Sequence, residues 1–376
     1  MKRRASPALV GATAAVLLAG AFMLLPAFIG LGAPAPASVL GRYGREFFAL
    51  DTYIEITLYA SSEAGAEAAL DVAEQIFMDA GRLMTRYPAG RQAGASDVAR
   101  VNAGAGGVPT PIGAETFGLL RRALDYCAAS GGAFDISLGA LSDLWDFRGE
   151  ARVPGGAEIE RTLALSGYKK ITLDESGVAV SIPAGLQIDL GGIAKGYATQ
   201  KAADAMRAMG VAHAIIDAGG DLYALGCKPP TGDGSQGGGA APADASAIAA
   251  PWIVGIRHPR DEGALLATLP AINKAVVTSG DYERFFLDGG ERFCHILDPK
   301  TGWPARACVS ATVIADDATL ADYLSTAVFV LGPVDGLALV AGIDGAEAVV
   351  VGADMRVSVS PGLEGIISMA TVSQSG

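Results

Sequence analysis

The chain has 376 residues, of which 51% are apolar and 18% charged, so it can bury a large core and is not intrinsically disordered. Its 40 acidic and 28 basic side chains give a formal net charge of −12, which argues against a protein that binds nucleic acid. The four cysteines, at positions 127, 227, 294 and 308, show no CxxC spacing, which argues against a zinc site built from cysteine.

The N-terminus combines positive charge with a long apolar run. Basic residues at 2–4 precede an uncharged stretch in which residues 8–32 are strongly apolar. This pattern is typical of a signal peptide, here with cleavage near Ala35–Ala37, or of a retained membrane anchor. Both alternatives place residues 1–40 before the folded domain and predict that this domain is exported. The remaining alternative is that the apolar run forms a buried helix of the globular domain.

Strands and helices are mixed along the rest of the chain. In chain order, the pattern predicts a strand at 51–59, helices at 64–87 and 116–130, a hairpin at 171–182, a helix at 194–209, strands at 214–216, 222–225, 252–256, 275–278, 292–297 and 310–314, helices at 318–331 and 333–341, and closing strands. Strict β-α-β alternation is lacking, which favours an α+β domain over 45–372 rather than a doubly wound sheet. Residues 229–250, rich in Gly, Ala and Pro, predict a flexible insertion.

The segment 188–197, IDLGGIAKGY, predicts a strand that runs into a helix through a glycine pair. At such a junction, backbone N–H groups and the helix dipole can meet a phosphate. Asp189 and Lys195 add charges that suit a charged ligand. The spacing matches neither the P-loop nor the G-x-G-x-x-G pattern. A tight turn whose glycines serve packing is therefore the alternative.

The predicted helix at 318–331 carries a polar stripe. At about 100° per residue, Asp322, Ser325 and Thr326 fall on one face, away from the leucines. One carboxylate and two hydroxyls are oxygen ligands of the kind that Mg²⁺ takes, usually together with substrate phosphates and waters. The stripe thus indicates a site for a hard cation, with an ordinary polar face as the alternative.

Only three histidines occur in the chain, at 213, 258 and 295. The first two lie in a predicted helix–strand turn and before a proline, where a structural or surface role is expected. His295 lies on a predicted strand that enters an Asp-Pro turn. A histidine with a pKa near neutral can act there as a general base; a histidine that only makes structural hydrogen bonds is the alternative.

Six segments together resemble the ApbE family of FAD:protein FMN transferases, also called flavin transferases. They lie in the family's order between about residues 48 and 369, and they read GGAFDISLGALSDLWDF (131–147), IDLGGIAKGYATQKAA (188–203), IIDAGGDLYALG (215–226), VVTSGDYERFF (276–286), HILDPKTGWP (295–304) and VSATVIADDATLADYLSTAVFVLG (309–332). The resemblance implies an α+β fold of mixed, T-fold-related sheets with packed helices and a flavin site between sheet-bearing subdomains.

The resemblance also implies a Mg²⁺-dependent reaction with FAD as the substrate. FAD is split at its pyrophosphate, FMN passes to a Thr or Ser hydroxyl of a target protein as a phosphoester, and AMP leaves. The implied partner is a protein acceptor, in particular a membrane redox subunit. An FAD pyrophosphatase that uses water as the acceptor and a non-catalytic exported flavin-binding protein are the alternatives. Residues 135–141 match the family's acceptor motif, D-x-x-[ST]-G-A-T, only in part, because leucine replaces both hydroxyl residues.

The resemblance further implies a role for each candidate site residue. Asp322 and Thr326 match the family's metal-binding D-x-x-x-T pattern, Ser325 lies beside them, and Gly192 matches a position that offers its backbone carbonyl to the metal. His295 matches the base that activates the acceptor hydroxyl. The residues that match flavin- or nucleotide-contacting positions are Leu50, Tyr87, Ala133, Phe134, Asp135, Asp189, Lys195 and Ile296.

We predict that the folded domain lies outside the cytoplasmic membrane, either anchored in the inner membrane and facing the periplasm, or secreted after cleavage. The positive-inside rule keeps the basic N-terminus in the cytoplasm. A reporter that is active only after export, fused behind Gly376, should be active in cells. Its control is the same fusion without residues 1–40, which should be inactive. A reporter that works only in the cytoplasm would contradict the prediction.

Overall fold

The computed structural model describes residues 40–88, 96–230 and 250–370, and every structural statement below concerns these residues. The predicted N-terminal signal or anchor, apart from residue 40, lies outside them, as do residues 231–249 of the predicted insertion. The strands and helices, in chain order, are β1 (Gly41–Ala49), β2 (Thr52–Ala60), α1 (Glu63–Met84), α2 (Asp97–Ala103), β3 (Thr110–Pro111), α3 (Ala114–Ala129), α4 (Gly139–Trp145), α5 (Gly156–Leu163), β4 (Thr172–Asp174), β5 (Ala179–Ser181), α6 (Ala194–Ala208), β6 (His213–Ala218), β7 (Asp221–Leu225), β8 (Trp252–Arg257), β9 (Leu265–Ala271), β10 (Lys274–Gly280), β11 (Phe285–Asp288), β12 (Glu291–Cys294), β13 (Cys308–Ala315), α7 (Ala318–Ala341), β14 (Glu347–Gly352), β15 (Val357–Val359) and β16 (Ser368–Met369).

An antiparallel eight-stranded sheet organises the domain, in the order β1-β2-β6-β7-β10-β13-β14-β15. All eight residues of β13 are buried, because both faces of the sheet are covered there. One face meets the main core, to which α1, α6 and α7 contribute. The other face packs against β8 and β9, which belong to the small sheet β16-β9-β8. This arrangement confirms the predicted α+β class.

Two predicted boundaries shift near residues that matter for function. Helix α1 ends at Met84, so Tyr87 follows the helix instead of closing it. Strand β12 ends at Cys294, which corrects the prediction that His295 lies on a strand. One backbone hydrogen bond, from the His295 N–H to the Arg284 carbonyl, still links the two chain segments beyond residue 294, and the chain then enters a separate loop closed by the Leu297–Pro304 bridge.

Helix α7 combines the two helices predicted at 318–331 and 333–341. A kink at Gly332, which has φ 87° and ψ 175° and precedes Pro333, marks the predicted boundary between them. Proline lacks the N–H that would continue the helical ladder, and glycine accepts the positive φ. By length and composition α7 is apolar enough to cross a membrane, but it packs against β10, β13 and β14 in the core.

The contact between α6 and α7 depends on Gly196. A Cβ at this position would lie 2.3 Å from the carbonyl oxygen of Ala318 and 2.5 Å from Cβ of Asp322. The Gly196 N–H donates a hydrogen bond to Oδ2 of Asp322 at 2.8 Å. Only glycine therefore allows the first turn of α6 to touch α7 at the level of the predicted metal ligand.

We predict that Gly196→Ala lowers the free energy of unfolding by about 1–3 kcal/mol, because the added methyl group forces the two helices apart. Gly118→Ala is the matched control. A Cβ on Gly118, inside α3, meets no atom within 4 Å, so this change should stabilise the protein by up to about 1 kcal/mol. Denaturant unfolding of both variants measures the change in the free energy of unfolding. Equal changes in the two variants would contradict the role assigned to Gly196 in the helix contact.

Candidate active site

One cleft of about 880 Å³ contains every candidate site residue in its lining, from Leu50 to Thr326. Its walls come from the β1–β2 turn, the segment after α1, the segment before α4, the glycine junction before α6, the end of β10, the segment that follows β12, and the first half of α7. The structure thus brings together side chains that are far apart in the sequence. This grouping is what a single binding site requires.

Asp322 lies buried on α7 at the bottom of the cleft. Burial, followed by the charge of Asp221, raises the pKa of Asp322 to about 7, against the opposing effects of Lys195 and of the hydrogen bond from Gly196. A buried carboxylate of this kind gains from a cation beside it. The described residues donate a hydrogen bond only to its Oδ2, from the Gly196 N–H.

Hydroxyl groups from two elements meet beside this carboxylate. Ser279 Oγ, on β10, lies 2.8 Å from Ser325 Oγ and 3.3 Å from Thr326 Oγ1. Ser325 Oγ also donates to the backbone oxygen of Asp322 at 2.8 Å. The backbone of Gly192 is close, since a Cβ there would lie 3.6 Å from Thr326 Oγ1.

The chemistry of this donor set fits a hard cation. Among the described residues no group of three His, Cys, Asp or Glu side chains could hold a metal. The donors are instead one carboxylate, the hydroxyls and a backbone carbonyl. Such a sparse oxygen set suits Mg²⁺, which keeps waters and usually takes further ligands from substrate phosphates. Softer metals would require the nitrogen or sulfur ligands that this set lacks.

Lys195 forms an ion pair with Asp221, the first residue of β7. The Asp221 side chain is only 3% exposed, whereas that of Lys195 is 27% exposed. Burial raises the pKa of Asp221, and the charge of Lys195 opposes that rise. Lys195 therefore lines the cleft as predicted, but its charge is balanced by a carboxylate that lies beneath it.

Asp189 shapes the glycine junction. Its Oδ1 accepts a hydrogen bond from the Gly191 N–H at 2.8 Å, which closes a short turn ahead of α6. Its Oδ2 is 3.5 Å from Arg86 Nη1, and the same nitrogen donates to the Gly139 carbonyl at 2.7 Å. Asp189 thus links the junction to the neighbouring wall through the nearly buried Arg86 side chain.

Tyr87 lies at the mouth of the cleft between two guanidinium groups. Arg86 is 4.5 Å from the ring centroid and Arg148 is 4.7 Å from it. Arg148 also pairs with Asp51. Leu50 and Asp51 both have positive φ, 50° and 61°, as in the two-residue turns that match the twist of a hairpin. The β1–β2 turn and Tyr87 are therefore tied together across the mouth.

The segment that contains Ala133, Phe134 and Asp135 packs against the glycine junction. Phe134 is buried, and a Cβ on Gly192 would lie 3.2 Å from its Cε2. Asp135 accepts hydrogen bonds from the Ser137 N–H and hydroxyl, at 2.8 and 2.6 Å. Burial raises the pKa of Asp135, and these hydrogen bonds oppose the rise. Asp135 therefore acts within this structure as a loop anchor.

His295 is partly exposed on the cleft wall and held by its neighbour across the hairpin. Its backbone N–H donates to the Arg284 carbonyl at 3.0 Å, and Nδ1 lies 3.2 Å from the same oxygen. Because a carbonyl can only accept, Nδ1 carries the proton and Nε2 is left as an acceptor. Burial, followed by the charge of Arg284, lowers the pKa of His295 to about 3, so the ring is neutral. Next to it, Ile296 is buried and lines the cleft.

Five polar residues that line the cleft were not predicted as site residues from the sequence. Ser279, Arg284 and Asp221 lie inside segments that resemble the family, and this resemblance is the only signal that could have identified them. Nothing in the local spacing of these residues indicates a role. Arg86 and Arg148 lie in stretches without a distinctive pattern. The lining residues in question are Arg86, Arg148, Asp221, Ser279 and Arg284.

Comparison with known proteins decides the family. The sequence model described as the ApbE family matches residues 50–350. The chain belongs to the ApbE family. An FAD:protein FMN transferase of Treponema pallidum is 34% identical over 345 residues, which cover 89% of this chain and 91% of that protein. One from Klebsiella pneumoniae is 34% identical over 248 residues, covering 65% of this chain and 71% of that protein.

Solved structures confirm the ApbE fold. An ApbE protein from Thermotoga maritima superposes with a TM-score of 0.75 at 32% identity, covering 87% of this chain and 99% of that one. The flavinyl transferase ApbE of Pseudomonas stutzeri, in its apo form, gives 0.71 at 28% identity, with 88% and 98% coverage. The family resemblance predicted from the six segments is therefore confirmed.

Proposed function

We propose that this ApbE-family protein is an FAD:protein FMN transferase, which uses Mg²⁺ and attaches FMN to a Thr or Ser hydroxyl of a target protein. The observation that carries the proposal is the joint lining of one cleft by the hard-oxygen set around Asp322 and the neutral His295. Relatives that match most of this chain carry the name FAD:protein FMN transferase. The presence of both groups also argues against a non-catalytic flavin-binding protein.

The cleft suits FAD in size and polarity. Ligand pockets commonly measure about 300–1,000 Å³ and combine apolar walls with a few polar groups, and this cleft is about 880 Å³. Leu50, Phe134 and Ile296 supply apolar surface for a ring system. The oxygen set lies elsewhere in the same cleft and suits the pyrophosphate, so one FAD molecule can engage both regions.

Asp322, Thr326, Ser325 and the Gly192 carbonyl are the groups that would hold Mg²⁺. When bound, this ion offsets phosphate charge in a reaction on a pyrophosphate. The protein is acidic overall, so a substrate with two phosphate charges needs such local support. Lys195 contributes little net positive charge to the site, because Asp221 forms an ion pair with it.

His295 would accept the proton of the acceptor hydroxyl at Nε2. As the hydroxyl oxygen bonds to the FMN phosphorus, the bond from that phosphorus to the bridging oxygen breaks, and its electron pair leaves with AMP. The products are then the FMN phosphoester and AMP. An anionic pyrophosphate beside the imidazole opposes the lowering of its pKa by burial and by Arg284, so FAD binding strengthens the base.

Export and a membrane redox subunit as the acceptor also remain part of the proposal. The basic and apolar N-terminal sequence supports export, since the positive-inside rule places the following domain outside. Hydrolysis of FAD to FMN and AMP is the second candidate, because the cleft is open to solvent at the partly exposed His295. An assay that separates free FMN from protein-bound FMN distinguishes the two.

We predict that His295→Ala slows FMN transfer by about 10²–10⁴-fold, the usual size of a general-base effect. FAD binding, followed by flavin fluorescence, should be retained, because the imidazole acts on the acceptor proton. His258→Ala, which removes a histidine outside the cleft lining, is the control and should transfer at the wild-type rate. An unchanged rate for His295→Ala would mean that another group or solvent takes the proton.

We predict that a chelator abolishes transfer, that Mg²⁺ restores it, and that Asp322→Ala is more damaging than Thr326→Ala, because only Asp322 supplies a full charge. Asp322→Asn keeps an acceptor for the Gly196 N–H and should still be inactive. Asp335→Ala removes an exposed carboxylate from the second half of α7 and serves as the control.

The fold should persist without metal, since a domain of this size has a core of its own, so melting temperatures with and without chelator should agree. Full transfer by Asp322→Ala in the presence of chelator would remove the metal from the mechanism.

A further inference from the structure

The cationic side chains of the cleft differ in whether a carboxylate balances them. Five line the cleft, and four of these form ion pairs within the described part of the chain. Within the described part of the chain, no carboxylate lies within salt-bridge distance of Arg284. The pairs are Arg82–Asp79, Arg86 with Asp143 and Asp189, Arg148–Asp51 and Lys195–Asp221. Arg284 is therefore the cation whose charge is left for a ligand.

The backbone places Arg284 directly across from His295. Phe285 pairs with Cys294 in the β11–β12 hairpin, so the next pair outward is Arg284 and His295. The Arg284 carbonyl receives both hydrogen bonds that hold the histidine. Side chains that are directly opposite in an antiparallel pair lie on the same face, and both of these line the cleft.

The charge of Arg284 acts on two groups of the site. At His295 it is the largest influence after burial among those that lower the pKa. At Lys195, where burial lowers the pKa and Asp221 and Asp322 raise it, the Arg284 charge is again a lowering influence. His295, Lys195 and the hard-oxygen set line the same cleft as Arg284.

We propose that Arg284 is a further catalytic residue, which binds the nonbridging oxygens of the phosphoryl group that passes from FAD to the acceptor. This role rests on the proposed function. The hydroxyl that His295 deprotonates forms its new bond to the attacked phosphorus, so a cation beside His295 lies near that phosphorus. A guanidinium offers paired N–H donors that match two phosphate oxygens.

Arg284 exchanges no proton in this scheme. The acceptor oxygen bonds to the FMN phosphorus, the bond to the bridging oxygen breaks towards AMP, and the hydroxyl proton goes to Nε2 of His295. The guanidinium stabilises charge on the equatorial oxygens, which is greatest in the transition state. Its removal should thus lower the transfer rate more than it weakens FAD binding.

The test compares wild-type protein with Arg284→Gln, Arg284→Lys and Arg121→Gln. Arg121 is a matched control, because it is exposed on α3, 3.7 Å from Glu175 and outside the cleft lining. The assay uses FAD, Mg²⁺ and an acceptor protein that carries a D-x-x-[ST]-G-A-T motif, with flavin attachment followed by mass. At saturating FAD, Arg284→Gln should be about 10²-fold slower, Arg284→Lys intermediate and Arg121→Gln unchanged.

Chemical rescue separates a direct role from a structural one. Added guanidinium ion, well below denaturing concentration, should speed Arg284→Ala by about tenfold, since it can replace part of a 10²-fold donor effect. It should not speed Arg121→Ala. A wild-type rate for Arg284→Gln would overturn the proposal. A loss in Arg284→Ala that guanidinium does not restore would also overturn it, because the side chain would then act only through the fold.

The same assay distinguishes the two proposals. If wild-type protein attaches no flavin and releases no AMP, the proposed function fails, and the role of Arg284 loses its basis. If wild-type protein attaches flavin and Arg284→Gln does so equally fast, only the role of Arg284 fails. Release of AMP with free FMN alone would indicate the hydrolase, in which water replaces the acceptor hydroxyl.

Discussion

The contact between the first turn of α6 and helix α7 fixes the geometry of the whole cleft. Because Gly196 has no side chain, its N–H reaches Oδ2 of Asp322 at 2.8 Å. This hydrogen bond sets the position of the carboxylate relative to the glycine junction, and hence to the Gly192 carbonyl and Thr326. The same helix packs against β10, whose Ser279 Oγ lies 2.8 Å from Ser325 Oγ. A small change in helix separation would therefore move every proposed metal ligand at once.

Charge pairing decides which residues of the cleft are free to bind a ligand. The protein is acidic, and most cations of the cleft are used internally, as Lys195 is by Asp221 and Arg148 is by Asp51. These pairs shape the walls and contribute little net positive charge. In the proposed function, attraction for the pyrophosphate therefore comes from the proposed cation and from Arg284. The division between structural and ligand-binding cations follows largely from topology, since every pair except Arg82–Asp79 within α1 joins different segments of the chain.

The sequence predicts features that depend on local periodicity and fails for those that depend on pairing between distant segments. The stripe of Asp322, Ser325 and Thr326 follows from the helical repeat, and the break at Gly332 follows from Pro333. Strand β1 was missed because its two glycines and three charged residues hide an alternating burial pattern. Ser279 and Arg284 could not be found, because their positions depend on the packing of β10 and the register of the β11–β12 hairpin. The roles of the site residues stay predictions, since position alone does not test them.

The pKa shifts of the site match the charges of the ligands that the proposed function requires. Burial is the main cause that raises the pKa of Asp322 to about 7 and lowers that of His295 to about 3. Burial thus makes this carboxyl harder to ionise and this imidazole harder to protonate than their solvated counterparts. A cation beside Asp322 favours its ionised form, and a pyrophosphate beside His295 favours the imidazolium, so each ligand shifts one residue towards its proposed role. The opposite directions of the two shifts match ligands of opposite charge. Burial, which disfavours both charged forms, thereby couples substrate binding to the strength of the base in the proposed function.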